Sequence, residues 1–119
     1  MKLPASTALD REIKLSQLRK SHEVASEYAR AAAESLNDAG SRGSGLLALR
    51  AIAEAYGGLG AVAAKAGISR ESLYRSLSPK GNPTLKTLIA ILNTLNLRLS
   101  VVEAPKKKKR ARSSRKLAA

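Results

Sequence analysis

Polar side chains and one tyrosine are concentrated between residues 69 and 75, in a segment whose apolar residues recur at helical spacing. Arginines there can donate paired hydrogen bonds to a guanine edge or bind a phosphate, and a tyrosine can offer its ring to a thymine methyl group or its hydroxyl to a phosphate. Glu71 could accept a hydrogen bond from a cytosine amino group, or it could only place a favourable charge in the first turn of a helix. The full set is Ser69, Arg70, Glu71, Tyr74 and Arg75. These residues offer non-covalent contact with nucleic acid.

Three more polar residues flank this set, one before it and two after it. Lysine and asparagine side chains at such positions contact phosphates, which hold a protein on a duplex without reading its sequence. The three residues are Lys65, Lys80 and Asn82. We expect them to contribute to affinity and not to base selection.

Residues 59–83 must position these side chains, and their pattern predicts two short helices joined by a tight turn. Gly67 stands where the chain reverses and needs a positive φ, a conformation nearly free for glycine. Ser69 follows where the second helix needs a side-chain cap for its N–H groups. Small Ala63 lies where the helices cross, and Leu73 fills the wedge between them. This layout is typical of a helix-turn-helix, whose second helix enters the DNA major groove, although an ordinary helical hairpin would share it.

The preceding part of the chain predicts two more helices and a less regular start. Residues 1–20 mix charges with scattered apolar residues, which predicts a loose arm or a short helix. Residues 21–40 repeat apolar side chains at three- and four-residue steps and predict an N-terminal helix, followed by a flexible linker that ends at Gly45. A helix from about Leu46 to Tyr56 then leads into the helix pair.

The part that follows the helix pair predicts one helix and one strand. Thr84 is the expected N-cap of the helix, and Asn96 the expected left-handed residue at its end. Apolar and polar residues then alternate over residues 97–102, which predicts a short β-strand. Since a lone strand leaves its backbone edge unpaired, we expect it to pair with the same strand of a second subunit in a homodimer. The residues assigned to this dimer strand are Leu97, Leu99 and Val101.

The chain carries a net charge of +13, and this charge is unevenly placed. Residues 106–116 hold eight cations and no acid, which leaves 14 cations and nine acids, a net charge of +5, for residues 1–105. An excess of this size favours a polyanionic partner, but charge alone does not separate DNA from RNA or an anionic membrane. We expect residues 104–119 to be a disordered basic tail, which either binds DNA nonspecifically or only keeps the chain soluble.

No residue pattern indicates an enzyme, a metal site or a cofactor. The absence of cysteine excludes disulfides and cysteine-ligated metals, and no group of acids and histidine has metal-ligand spacing. The sequence neighbours of His22 point about 100° apart on a helix and cannot form a catalytic triad with it. Gly57-Gly58-Leu59-Gly60 lacks the Lys-Ser/Thr of a phosphate-binding loop. Without a signal peptide or about 18 consecutive apolar residues, the chain is expected to be soluble and cytoplasmic, with no membrane partner.

Several motifs in the second half of the chain resemble those of a known family. They are Gly67-Ile-Ser-Arg-Glu-Ser-Leu-Tyr-Arg-Ser-Leu-Ser-Pro-Lys-Gly-Asn-Pro83, then Thr87-Leu88, then Leu97-Arg-Leu-Ser100. Over about residues 46–102 the chain resembles the addiction-module antidote family, a group of Xre-type helix-turn-helix antitoxins similar to the HigA class. The expected fold is all-α, with about five helices, a lambda-repressor-like helix-turn-helix and a short C-terminal β-strand.

The resemblance also implies a function. Such a protein binds an inverted-repeat operator on double-stranded DNA as a homodimer, represses its own operon, and holds a co-encoded toxin inactive, usually a RelE/HigB-like ribonuclease. We expect the toxin to contact residues 1–40, which lie outside the DNA-binding core. Gly60 and Ala61 depart from the family, because many Xre-type domains place a polar residue there to hold a phosphate.

Two other functions are compatible with the residues. A stand-alone prophage-type repressor, or an architectural DNA-binding protein without a toxin, would account for the strongly basic tail. A neighbouring gene that encodes a small basic protein would favour the antitoxin function, and the absence of such a gene would favour the stand-alone repressor. An RNA-binding adaptor is disfavoured because the chain has no Phe or Trp to stack on bases.

Overall fold

The regular structure of the chain is helical throughout the range that can be described. The computed structural model describes residues 8–105, with side chains from residue 12 onward. Within that range there are six helices instead of the expected five, and the prediction of an all-α fold is confirmed. They are α1 (Ala8–Lys20), α2 (His22–Ser35), α3 (Arg42–Ala55), α4 (Gly58–Ala66), α5 (Arg70–Ser76) and α6 (Leu85–Asn93).

Local sequence signals account for several helix ends. The Ser21 hydroxyl accepts a hydrogen bond from the Val24 N–H at the start of α2, and Thr84 does the same with the Thr87 N–H at the start of α6. Asn96 has a φ of 63°, the left-handed conformation that its sequence position predicts. Because the chain reverses there, the Leu97 N–H returns to the Leu92 carbonyl at 2.9 Å and closes the end of α6.

One apolar core joins all six helices and is built from Leu, Ile, Val and Ala. α2 and α1 pack on α3, α4 packs on α3, α5 and α6, and α3 therefore connects the two ends of the molecule. Each large aliphatic side chain buried in this way contributes about 1.5–3 kcal/mol. The largest of these fully buried side chains are Leu18, Leu46, Leu49, Ile52, Val62, Leu73, Leu77, Ile91 and Leu95.

The first helices belong to this core. Leu15 and Leu18 of α1 are buried, as are Ala25, Ala29 and Ala32 of α2. The residues predicted as a loose arm or short helix therefore form a helix from Ala8 onward that packs on the core. Only the outward faces of α1 and α2 are therefore available to another molecule.

α3 begins at Arg42, inside the stretch that the sequence predicts as a flexible linker. The reason is a close helix contact. A Cβ atom added to Gly45 would lie 2.7 Å from the Ala32 carbonyl oxygen, so α2 approaches α3 over a residue that has no side chain. Here packing against α2 overrides the low helix propensity of glycine.

Two side-chain hydrogen bonds connect helix ends that are distant in sequence. The Tyr56 hydroxyl donates to the Leu18 carbonyl at 2.6 Å, which ties the end of α3 to the end of α1. His22 Nε2 bonds the Leu95 carbonyl at 2.9 Å, which ties the start of α2 to the end of α6. The single histidine thus has a structural contact.

The predicted strand over residues 97–102 is wrong for the single chain, because residues 8–105 contain no β-strand. A strand exists only through hydrogen bonds to a neighbouring strand. The Leu97 N–H is already used at the end of α6, and Leu97 itself packs against the core. Leu99 and Val101 are exposed, with Val101 94% accessible to solvent.

Two sequence predictions fall on residues that are not described. The basic tail, Lys106–Lys116, lies outside the described range, as do the first seven residues of the predicted arm. Among the described residues, no single helix is long and apolar enough to cross a membrane, and only α3 taken with α4, bent by 106°, passes on length and composition.

Candidate nucleic-acid interface

α4 and α5 are joined by a three-residue turn at residues 67–69. Gly67 has a φ of 75°, and its N–H bonds the Ala64 carbonyl at 3.1 Å while the next N–H, of Ile68, bonds the Ala63 carbonyl at 3.0 Å. This double closure ends α4 abruptly and turns the chain toward α5.

Ser69 begins α5 in the way that its position predicts. Its hydroxyl accepts a hydrogen bond from the Ser72 N–H at 3.0 Å and donates one to the Ser72 hydroxyl at 3.0 Å. The side chain is therefore engaged in holding the first turn of α5, and this is the role that its contacts support.

α5 has a buried face and an exposed face. Leu73 is fully buried, and so is Leu77, which follows the last residue of the helix. Four of the predicted contact residues lie on the exposed side. They are Arg70, Glu71, Tyr74 and Arg75. The helix thus presents two cations, one acid and one aromatic ring to solvent over only two turns.

These four side chains border one open depression of about 380 Å³. Its other walls are Leu59 of α4 and Glu54 of α3. Since three helices contribute to it, the relative placement of α3, α4 and α5 determines how the polar groups are arranged.

Arg50 of α3 belongs to the same surface and was not among the residues predicted from sequence. Its guanidinium carbon lies 4.2 Å from the centroid of the Tyr74 ring, a cation–π contact between α3 and α5. Arg50 and Glu54 are four residues apart and therefore share one side of α3. That spacing is visible in the sequence, but nothing in the sequence indicates that this side faces Tyr74.

The three predicted phosphate contacts are exposed but lie apart from the depression. Lys65, in the last turn of α4, borders a second depression of about 250 Å³ with Tyr56 and Thr94. Lys80 and Asn82 lie in the loop between α5 and α6. None of the three is among the side chains that line the first depression, so the structure brings together the predicted base contacts but not their flanking partners.

The fold and this surface define a small all-helical protein with an exposed polar helix behind a tight turn. The family described as "probable addiction module antidote protein" matches residues 10–103. The chain belongs to this family. The resemblance inferred from the motifs is therefore confirmed at the level of the family.

One relative has a sequence similar to part of this chain. The chain is 46% identical over 43 residues to an uncharacterised protein of Haemophilus influenzae. That match covers 36% of this chain and 44% of the relative, so the chain spans less than half of the length of the relative. No solved structure matches the chain.

Proposed function

We propose that this protein is the antitoxin of a type II toxin–antitoxin module and represses its own operon by binding DNA. The observation that carries the DNA-binding part is the depression in which Arg70, Glu71, Tyr74 and Arg75 meet on the exposed side of α5. In a helix-turn-helix protein, the second helix enters the major groove with side chains of this kind directed at base edges.

The proposed roles follow from the chemistry of each side chain. Arg70 and Arg75 bind guanine edges or phosphates, and Tyr74 contacts a thymine methyl group. Glu71 either accepts from a cytosine or only stabilises the first turn of α5. Lys65, Lys80 and Asn82 contact phosphates on either side of the bases.

The test is a binding assay with Arg70→Ala and Arg75→Ala. The probes are a duplex from the region upstream of the gene and a scrambled duplex of equal length. Each change should lower the preference for the upstream duplex about 5- to 150-fold, since a good paired contact contributes about 1–3 kcal/mol of discrimination. Arg30→Ala is the matched control, because Arg30 is an exposed arginine on α2 that pairs with Glu27. An unchanged preference in both variants would rule out α5 as the DNA-reading helix.

The proposed DNA-binding unit is a homodimer. Several apolar side chains of α6 and the segment after it are exposed in the single chain, which leaves an apolar surface for a second copy to cover. They are Leu85, Ile89, Leu99, Val101 and Val102. In the dimer the residues predicted as a strand gain a partner strand, which the described part of one chain does not contain. Twofold symmetry then requires an inverted-repeat operator with half-sites about one helical turn apart.

The toxin is proposed to be a RelE/HigB-like ribonuclease that binds within residues 1–40. Because the inner faces of α1 and α2 are used by the core, the contact must involve their outer faces. Ile13 and Val24 are about half exposed there, at 49% and 51%. Glu23, Glu27 and Glu34 on α2 are also exposed and suit a basic partner.

The toxin contact is tested by co-expression with the neighbouring gene. Removing residues 1–43 would uncover the core side chains of α3, so point variants are the sharper probe. The double variant Ile13→Lys/Val24→Lys should lose the co-eluting product, while Leu47→Lys, an exposed leucine on α3, should retain it. Retention by the double variant would reject this surface. A neighbouring product that is neither toxic alone nor bound by the wild-type chain would reject the antitoxin function.

The stand-alone repressor is the second candidate, and the eight cations in residues 106–116 favour it. Membership in the antidote family supports the antitoxin instead. Under either proposal the protein acts without catalysis, in the bacterial cytoplasm where its DNA lies.

A further inference from the structure

Arg50 and Tyr74 form a pair across two helices at the edge of the depression. The guanidinium of Arg50 lies over the ring of Tyr74, 4.2 Å from its centroid, and Tyr74 is 47% exposed. Arg50 is half-buried on α3. The contact thus joins a cation from one element to an aromatic ring of another.

We propose that Arg50 is a DNA-contact residue that positions Tyr74 and binds a phosphate beside it. This inference rests on the proposed function. A guanidinium over an aromatic ring is attracted to the face of the ring, and its N–H groups can still bind phosphate oxygens in pairs. The same contact limits the motion of the ring, so less freedom is lost when Tyr74 meets a base.

The geometry places Arg50 within reach of any duplex that Tyr74 contacts. Tyr74 borders the depression together with Arg70 and Arg75, and Arg50 lies against its ring. In the proposed complex, the phosphate next to the base that Tyr74 contacts binds Arg50. This adds a contact from α3 to the contacts made by the arginines of α5. This second anchor compensates in part for the missing polar side chain at Gly60 and Ala61.

The experiment compares Arg50→Ala, Arg50→Lys and Tyr74→Leu in the full chain. The probes are a duplex that the wild-type protein selects from random sequences and a scrambled duplex of the same length, each measured at several salt concentrations. Arg50→Ala should weaken binding to the selected duplex about 10-fold and make the slope of log K against log salt shallower by about 1. Arg50→Lys should restore the slope, because the charge returns. It should not restore the preference for the selected duplex, because lysine has no planar face to stack on Tyr74.

Coupling between the two residues is the second measurement. If Arg50 acts on base preference through Tyr74, adding Arg50→Ala to Tyr74→Leu should cause no further loss of preference. Thermal melting of every variant checks that the fold is intact, and Arg50→Lys keeps the test decisive if the alanine variant melts early. The inference would be overturned if Arg50→Ala kept the wild-type affinity, the wild-type salt slope and the wild-type preference for the selected duplex. Failure of the wild-type chain to select any duplex from random sequences would instead overturn the proposed function on which it rests.

Discussion

At the scale of single residues, Gly81 determines where the loop after α5 lies. A Cβ atom at this position would overlap the Ser76 carbonyl group and lie 2.6 Å from the Arg75 carbonyl oxygen, and both belong to backbone that cannot move aside. The loop therefore folds directly onto the end of α5. Lys80 and Asn82, on either side of Gly81, take their positions from this contact.

Gly81→Ala should consequently destabilise the protein by about 1–3 kcal/mol, the usual cost of forcing an extra methyl group into a filled space. Gly60→Ala is the matched control, since nothing lies within 4 Å of a Cβ at Gly60 and the residue is in α4. That change should stabilise the protein by up to about 1 kcal/mol. Urea unfolding followed by far-ultraviolet circular dichroism measures both free energies. Equal stability of the two variants would contradict the close approach at Gly81.

Residue-level signals explain why some of the interface could be predicted from sequence. Ser69, Thr84, Gly67 and Asn96 act through contacts with backbone three or four positions away, so their roles follow from the local sequence. Arg50 acts through α5, which is 20 or more residues away, and its contact depends on how α3 crosses α5. No local pattern contains that information.

At the scale of helices, the contact between α1 and α3 has a specific polar component. The last carbonyl groups of a helix have no partner within it, and the Tyr56 hydroxyl supplies one to Leu18 at 2.6 Å. Tyr28 offers a natural comparison, because Lys14 Nζ lies 3.5 Å from its hydroxyl, at the limit for a hydrogen bond.

Tyr56→Phe should therefore lower the free energy of unfolding by about 0.5–1.5 kcal/mol, the net contribution of one good hydrogen bond. Tyr28→Phe keeps the ring under the Lys14 ammonium group, 4.8 Å from the ring centroid, and should cost less than about 0.5 kcal/mol. Chemical denaturation measures both free energies of unfolding. The two variants can be compared with the wild-type chain when the dependence of the free energy on denaturant concentration is unchanged. A Tyr56→Phe variant as stable as the wild-type chain would mean that the α1–α3 hydrogen bond is not a stabilising contact.

The helices also show where periodicity alone fails. Residues 42–45 contain two glycines and a serine and predict a linker, yet they form the first turn of α3 because α2 packs over Gly45. Residues 97–102 alternate as a strand does, yet residues 8–105 contain no strand to pair with them. In both cases the outcome depends on a neighbour, present in the first case and absent in the second.

At the scale of the whole molecule, the distribution of charge separates two kinds of DNA contact. The exposed side of α5 carries a few groups that are placed by the fold and suited to base edges. The eight cations of residues 106–116 are closely spaced in the sequence, and such a density of positive charge suits the phosphates of any duplex. The proposed operator recognition and the general affinity for DNA should therefore respond to different substitutions.

Replacing all eight cations of residues 106–116 with glutamine should weaken binding to the operator and to a scrambled duplex by the same factor. The slope of log K against log salt should become shallower by up to about 7, since each released counterion contributes about 0.9. Arg70→Ala is the opposite case, in which the ratio of the two affinities falls and the slope changes by only about 1. Titrations of both duplexes from low to physiological salt give the affinity ratio and the salt slope of each of the two variants. The glutamine variant could instead lose its preference for the operator over the scrambled duplex while its salt dependence stays unchanged. In that case residues 106–116 read sequence, and the assignment of sequence reading to α5 and of general affinity to these residues is wrong.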